Sequence, residues 1–114
     1  MTLNEYEELR GRLTGLITSA RGLTRAVYTG KAKDSELGKV ADAIRAAGFA
    51  LAAHAENTSW YERLERDFMD DMRGALEIVS GVYTGDRSDA ELGRALDYLA
   101  IAERTLAFYS KPIA

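Results

Sequence analysis

Cysteine is absent from this chain, and proline, histidine and tryptophan each occur once. Without cysteine there are no disulfides, no thiolate nucleophile and no thiolate metal ligands. The one proline, Pro112, stands near the C-terminal end, so nothing before it forbids long helices. The one histidine, His54, is preceded three residues earlier by Leu51, not by an acid. A helical di-metal carboxylate site uses a Glu-x-x-His pair on each of two helices, which this chain lacks.

No apolar run reaches the roughly 18 to 20 residues that span a bilayer. The opening MTLNEYEELR is not the basic-then-apolar start of a secretory leader, so the expected location is the cytoplasm. The net charge of −3 argues against nucleic acid or an anionic membrane as partner. No phosphate loop, zinc spacing or Ser-His-Asp arrangement is present, so no cofactor, no metal and no catalytic residue is assigned. The expectation is that the protein is not an enzyme.

What is there is an ordinary globular mixture, 46% hydrophobic and 29% charged, and it is organised as a repeat. The segment 27–44, VYTGKAKDSELGKVADAI, aligns without gaps on 82–99, VYTGDRSDAELGRALDYL, at an offset of 55 with nine of 18 positions identical. A repeat fixes architecture better than local propensity does. Apolar or small residues precede the first Tyr-Thr-Gly at Tyr6, Leu9, Leu13, Leu16, Ala20, Leu23 and Val27. They precede the second at Tyr61, Leu64, Phe68, Met72, Ala75, Ile78/Val79 and Val82. After the turn come Leu37, Val40, Ile44, Ala47 and Leu51, then Leu92, Ala95, Leu99, Ala102 and Leu106. Steps of three and four place each set on one helical face.

The pattern predicts helices near 3–28, 35–56, 60–83 and 89–110. Thr2-x-x-Glu5, Ser59-x-x-Glu62 and Ser88-x-x-Glu91 read as capping boxes, Asp34 as the cap of the second helix, and Gly30 and Gly85 as left-handed C-terminal caps. Four one-faced helices with short links must bury their stripes together. The expected fold is therefore all-α: a single domain over 1–114, a four-helix up-down bundle of two tandem, pseudo-twofold-related hairpins, 1–56 and 57–114. The halves differ in charge: residues 1–55 hold 8 basic and 6 acidic side chains, residues 56–114 hold 7 and 12, which favours their association. The link Glu56-Asn57-Thr58-Ser59 has neither glycine nor proline, leaving open a fusion of helices two and three and an intertwined dimer.

Several features invite a functional reading. Tyr28 and Tyr83 mark a possible ligand or contact end, although C-capping glycines and variable loop tips also describe inherited turn chemistry. Gly38 and Gly93, each costing roughly 1 kcal/mol in a helix interior, point to close approach of a neighbouring helix. Opposite the core stripe of helix one stand Gly11, Gly15, Thr18 and Gly22, whereas the matching face of helix three carries Arg66, Asp70, Arg73 and Glu77. Three exposed glycines cost about 3 kcal/mol in propensity, which a closely approaching helix would offset. That stripe is the expected partner interface. Asp71 falls near the core stripe with Met72 beside it to take the slot. His54 and Tyr109 each place a polar-tipped ring at a bundle end, and Trp60 and Tyr61 read as core plugs. The expectation is a protein–protein interaction module, an adaptor, regulator, inhibitor or assembly subunit, with another protein or a second copy (a homodimer) as partner. The alternative is a small-molecule sensor using the bundle core or the Tyr-Thr-Gly end.

Overall fold

The computed structural model describes residues 1–109. It is an all-α four-helix bundle, formed by α1 (Leu3–Tyr28), α2 (Leu37–Ala53), α3 (Ser59–Thr84) and α4 (Leu92–Phe108). Each helix packs on its two neighbours, α1 on α2, α2 on α3, α3 on α4 and α4 on α1. The result is a rod of 48 × 21 × 19 Å.

The core is continuous along that rod. Leu13, Ile17, Leu37, Ile44, Leu51, Leu64, Phe68, Met72, Leu92 and Leu99 are its largest fully buried members besides Tyr6 and Tyr61. The expected stripes of α2, α3 and α4 are all buried. In α1 the stripe runs instead through Leu9, Leu13, Ile17, Ala20, Thr24 and Val27, with Leu16 and Leu23 only packed at its edge. The sequence pattern passed over Thr24 because it is polar. Its hydroxyl donates to the Ala20 carbonyl at 2.7 Å, which removes the cost of burying it and leaves its methyl for the core. Met72 occupies the core slot as expected, and Asp71 sits half-buried beside it.

The two hairpins match in their backbone hydrogen bonds at the turns. Gly30 and Gly85 adopt φ of 78° and 86°, the left-handed region that favours glycine. Their amides donate to Val27 and Val82, and the next amides, of Lys31 and Asp86, reach back to Ala26 and Gly81 at 2.7 and 2.8 Å. This pair of bonds is a Schellman motif and satisfies carbonyls that the helix end would leave open.

The helix starts depart from expectation. The Thr2–Glu5 capping box forms, with Glu5 N donating to Thr2 Oγ1 at 3.1 Å and Thr2 N to Glu5 Oε1 at 3.3 Å. The Ser59–Glu62 box does not: Thr58 holds the cap position without a side-chain capping bond, its hydroxyl donating instead to Glu56 Oε2 at 3.0 Å, and Ser59 already lies in the helix. Helices two and four begin later than expected, at Leu37 and Leu92, each entered through a single 3₁₀ turn at 34–36 and 89–91. Ser88 accepts from Ala90 N, but Glu91 turns to Arg87 instead of closing the box. Asp34 lies inside its 3₁₀ turn and caps nothing. Among the described residues helix four ends at Phe108. Residue 110, the expected end, and Pro112 lie outside the described residues.

Helices two and three are separate, joined by 54–58. Four weak helix formers, His54, Asn57, Thr58 and Ser59, coincide there. Side chains take the freed carbonyls: His54 Nδ1 lies 3.0 Å from Ala50 O, and Tyr61 Oη donates to Leu51 O at 2.6 Å. The helix therefore ends without glycine or proline.

Candidate functional site

The Tyr-Thr-Gly end is built reciprocally. Tyr28, closing α1, reaches across to Gly93 of α4, and Tyr83, near the end of α3, reaches across to Gly38 of α2. A methyl at Gly93 would meet Tyr28 Oη at 3.1 Å and Cζ at 3.3 Å; one at Gly38 would meet the Tyr83 ring at 3.4 Å. The expected close helix approach at these glycines is thus an approach of tyrosine side chains from the other hairpin. Both rings stay about half exposed, 47% and 53%. They are ties between hairpins, and the shallow depression next to Tyr83, floored by Gly38 and Ala41, opens onto the surface between α2 and α3.

Close to the approximate twofold axis, repeat-related residues meet their own counterparts. Asp34 and Asp89 do so: a hydrogen bond that protonated Asp89 donates to Asp34, partial loss of solvent and mutual repulsion raise the Asp89 carboxyl above the ordinary Asp range. The signal was in the sequence, since an identical residue in both copies near a twofold must face itself. At the same end Arg87 folds over Gly81, where its stem fills the space a Cβ would need, and binds Glu91 at 2.8 Å and Glu77 at 3.1 Å.

The opposite end is closed by aromatic rings. Tyr6 and Tyr61 are fully buried, Trp60 is half-buried, and Trp60 meets both edge-to-face at centroid distances of 5.2 and 5.6 Å. Tyr6 Oη donates to the Tyr109 carbonyl at 2.9 Å, and Tyr109 Oη to Asp67 Oδ2 at 2.5 Å. Burial raises the pKa of the Tyr6 and Tyr61 hydroxyls, Tyr61 to about 12, so both are neutral donors throughout the physiological range. The Tyr109 bond lowers the Asp67 carboxyl. His54 is half-buried at the C-cap of α2, its ring turned back on its own helix. These groups complete the fold's end: Tyr6, Tyr109 and Asp67 are linked to one another, while Tyr61 and His54 bond to backbone carbonyls of α2.

The outer face of α1 differs from both ends. Gly11, Gly15, Thr18 and Gly22 are all exposed, and a methyl on any of the three glycines would meet nothing within 4 Å. Elsewhere in the helices a glycine makes room for a neighbour: Gly48 for Met69 and Gly74 for the Tyr98 ring. Among the described residues the three in α1 make room for no neighbour. Thr18 Oγ1 donates to Thr14 O at 2.9 Å, so its polar atom is satisfied within the helix and its methyl faces outward. The same 4-3-4 spacing continues to Glu8 on one side and Arg25 on the other, both exposed. The sequence reading stopped at the small residues and missed these two, although the spacing pointed to them. Beside Gly22, Arg21 binds Glu103 of α4 at 2.7 Å, tying the two hairpins together.

The corresponding face of α3 is self-sufficient. Arg73 meets Asp70 at 3.5 Å, and Glu77 is held by Arg87. Asp71, at the margin of that helix's buried stripe, has its pKa raised, first by burial and then by Asp70 and Asp67. Among the described residues no cluster of three His, Cys, Asp or Glu side chains could hold a metal ion. No described helix is long and apolar enough to cross a membrane.

The fold and its surfaces thus define a four-helix bundle in which the outer face of α1 carries three glycines with open space above them. No protein-family model matches the chain, and no similar curated protein or solved structure was found.

Proposed function

We propose that this protein is a non-catalytic contact module, an adaptor, regulator, inhibitor or assembly subunit, that works through the outer face of α1. One observation carries the reading. Three glycines lie in an unbroken helix with open space above each, although each costs roughly 1 kcal/mol of helix propensity relative to alanine. Glycine at such a position lets a second backbone come close, and a contact made there would offset the cost. A small-molecule role at the Tyr-Thr-Gly end draws less support, because Tyr28 and Tyr83 are already engaged in packing across the hairpins. An acidic chain free of cysteine suits a reducing compartment, and we place its work in the cytoplasm.

The test uses the native protein and Gly15→Arg, compared by affinity capture from lysate of the source cells. A Cβ at this exposed site meets nothing within 4 Å and arginine is a better helix former than glycine, so the variant is expected to keep its fold, which circular dichroism checks. Proteins retained by the native chain and lost from the variant support the reading. An identical set on both overturns it.

A further inference from the structure

Resting on that reading of α1, we propose that the partner is a second copy of the same helix, laid antiparallel across a twofold axis between Leu16 and Ile17. The charges at the two ends of the face carry the argument. Glu8 and Arg25 are exposed at the two ends of the same winding 3–4 seam, and among the described residues neither enters an ion pair. They are equidistant from the midpoint of the face, so an antiparallel copy places each Glu8 against the Arg25 of its mate, twice per dimer. A parallel copy would set Glu8 against Glu8 and Arg25 against Arg25, which like-charge repulsion disfavours.

The residues between the charges obey the same symmetry. Gly11 falls opposite Gly22 of the second copy, and Gly15 opposite Thr18. Every crossing in the middle of the face therefore pairs a glycine with a glycine or with a threonine methyl, and the axes can approach to about 8 Å. Asn4 and Thr29 continue the register by one step and are exposed as well. The helix macrodipole accounts for an acid near the start and a base near the end of a helix. It does not account for the seam between them being occupied by small residues alone, Gly11, Gly15, Thr18 and Gly22. The matching positions of α3 also carry mirrored opposite charges, Arg66 with Glu77 and Asp70 with Arg73, but all four are already ion-paired within the chain, whereas Glu8 and Arg25 are not.

The experiment is sedimentation equilibrium of the whole protein at low ionic strength, where exposed charge pairs are least screened. Glu8→Arg and Arg25→Glu each convert both attractive pairs into repulsive ones, and self-association is expected to fall roughly 10- to 30-fold. Neither side chain contacts the core, and circular dichroism confirms that each variant is folded. Mixing the two variants restores opposite charges at both ends and is expected to recover the dimer as a heterodimer. As a direct check of register, Glu8→Cys mixed with Arg25→Cys gives mixed disulfide-linked dimers, whereas Glu8→Cys alone does not, because its two copies stand about 26 Å apart along the axis.

A native chain still monomeric near ~1 mM overturns the proposal, as does a dimer indifferent to either charge reversal or efficient crosslinking of Glu8→Cys to itself. If the native chain is monomeric but Gly15→Arg still loses captured proteins, self-pairing falls while the contact face stands. If the native chain is monomeric and capture is unchanged, both fall.

Discussion

Replacing Gly11, Gly15 and Gly22 together by alanine should stabilise the isolated chain by about 2 to 3 kcal/mol. Each change lowers the backbone entropy of the unfolded chain and supplies a methyl that suits the helix, worth close to 1 kcal/mol per site. No steric term opposes it, because the added Cβ has nothing within 4 Å at any of the three positions. The sites share no side-chain partner, so the increments should add. On a domain of this size, that raises the unfolding midpoint by about 10 to 15 °C. The assay is urea unfolding at low protein concentration, followed by helical ellipticity and by the fluorescence of the single tryptophan, Trp60. An unchanged m-value would show that the gain is one of stability and not of altered compactness. A gain below about 1 kcal/mol would refute the premise that the outer face of α1 carries a propensity cost which nothing in the folded chain returns.

Three other perturbations follow from the same coordinates. Gly38→Ala should stabilise by about 0.5 kcal/mol, its methyl touching the Tyr83 ring at ordinary distance, whereas Gly93→Ala should gain nothing until Tyr28→Ala frees the space; the four thermal midpoints form a cycle that checks this. Gly85→Ala should cost about 1 to 2 kcal/mol because φ there is 86°, and urea unfolding of this single variant measures it. Asp71 holds its proton more tightly when folded than when unfolded, so its contribution favours folding below about pH 4 and is lost as pH rises through its raised value. Asp71→Asn should therefore stabilise at pH 7 and not at pH 3; a gain that is the same at both would assign the effect to packing.

The architecture was legible because two signals agreed: a 55-residue offset that repeats the turn, and apolar steps of three and four on either side of it. Where the reading slipped, a side chain had found a partner that spacing alone does not reveal. Thr24 is core because its hydroxyl bonds within its own helix, and Gly38 and Gly93 serve tyrosines, not backbones. The caps at Asp34 and Ser59 failed for a related reason. A carboxyl or hydroxyl before an apolar run satisfies the capping rule in one dimension, but Asp34 faces Asp89, and the chain enters α3 one residue earlier than Ser59. The break between α2 and α3 was undecided in sequence because it depends on Tyr61 reaching a carbonyl ten residues back.

The smooth face of α1 was legible residue by residue, yet its meaning comes from contrast with α3. The two helices have the same length, occupy equivalent places in the bundle and bury equivalent stripes. Folding therefore makes the same demands of their outer faces, which are few: polarity enough for water and propensity enough for a helix. α3 meets them with Arg66, Asp70, Arg73 and Glu77. α1 meets the first with Arg12, Thr14, Thr18 and Ser19 but works against the second with three glycines. A helix whose counterpart in the same chain shows what stability alone accepts, and which departs from it only on the face turned outward, has that face shaped by a requirement other than folding. Contact with another helix is the requirement proposed for it, and the unbranched backbone of Gly11, Gly15 and Gly22 is what would serve that contact.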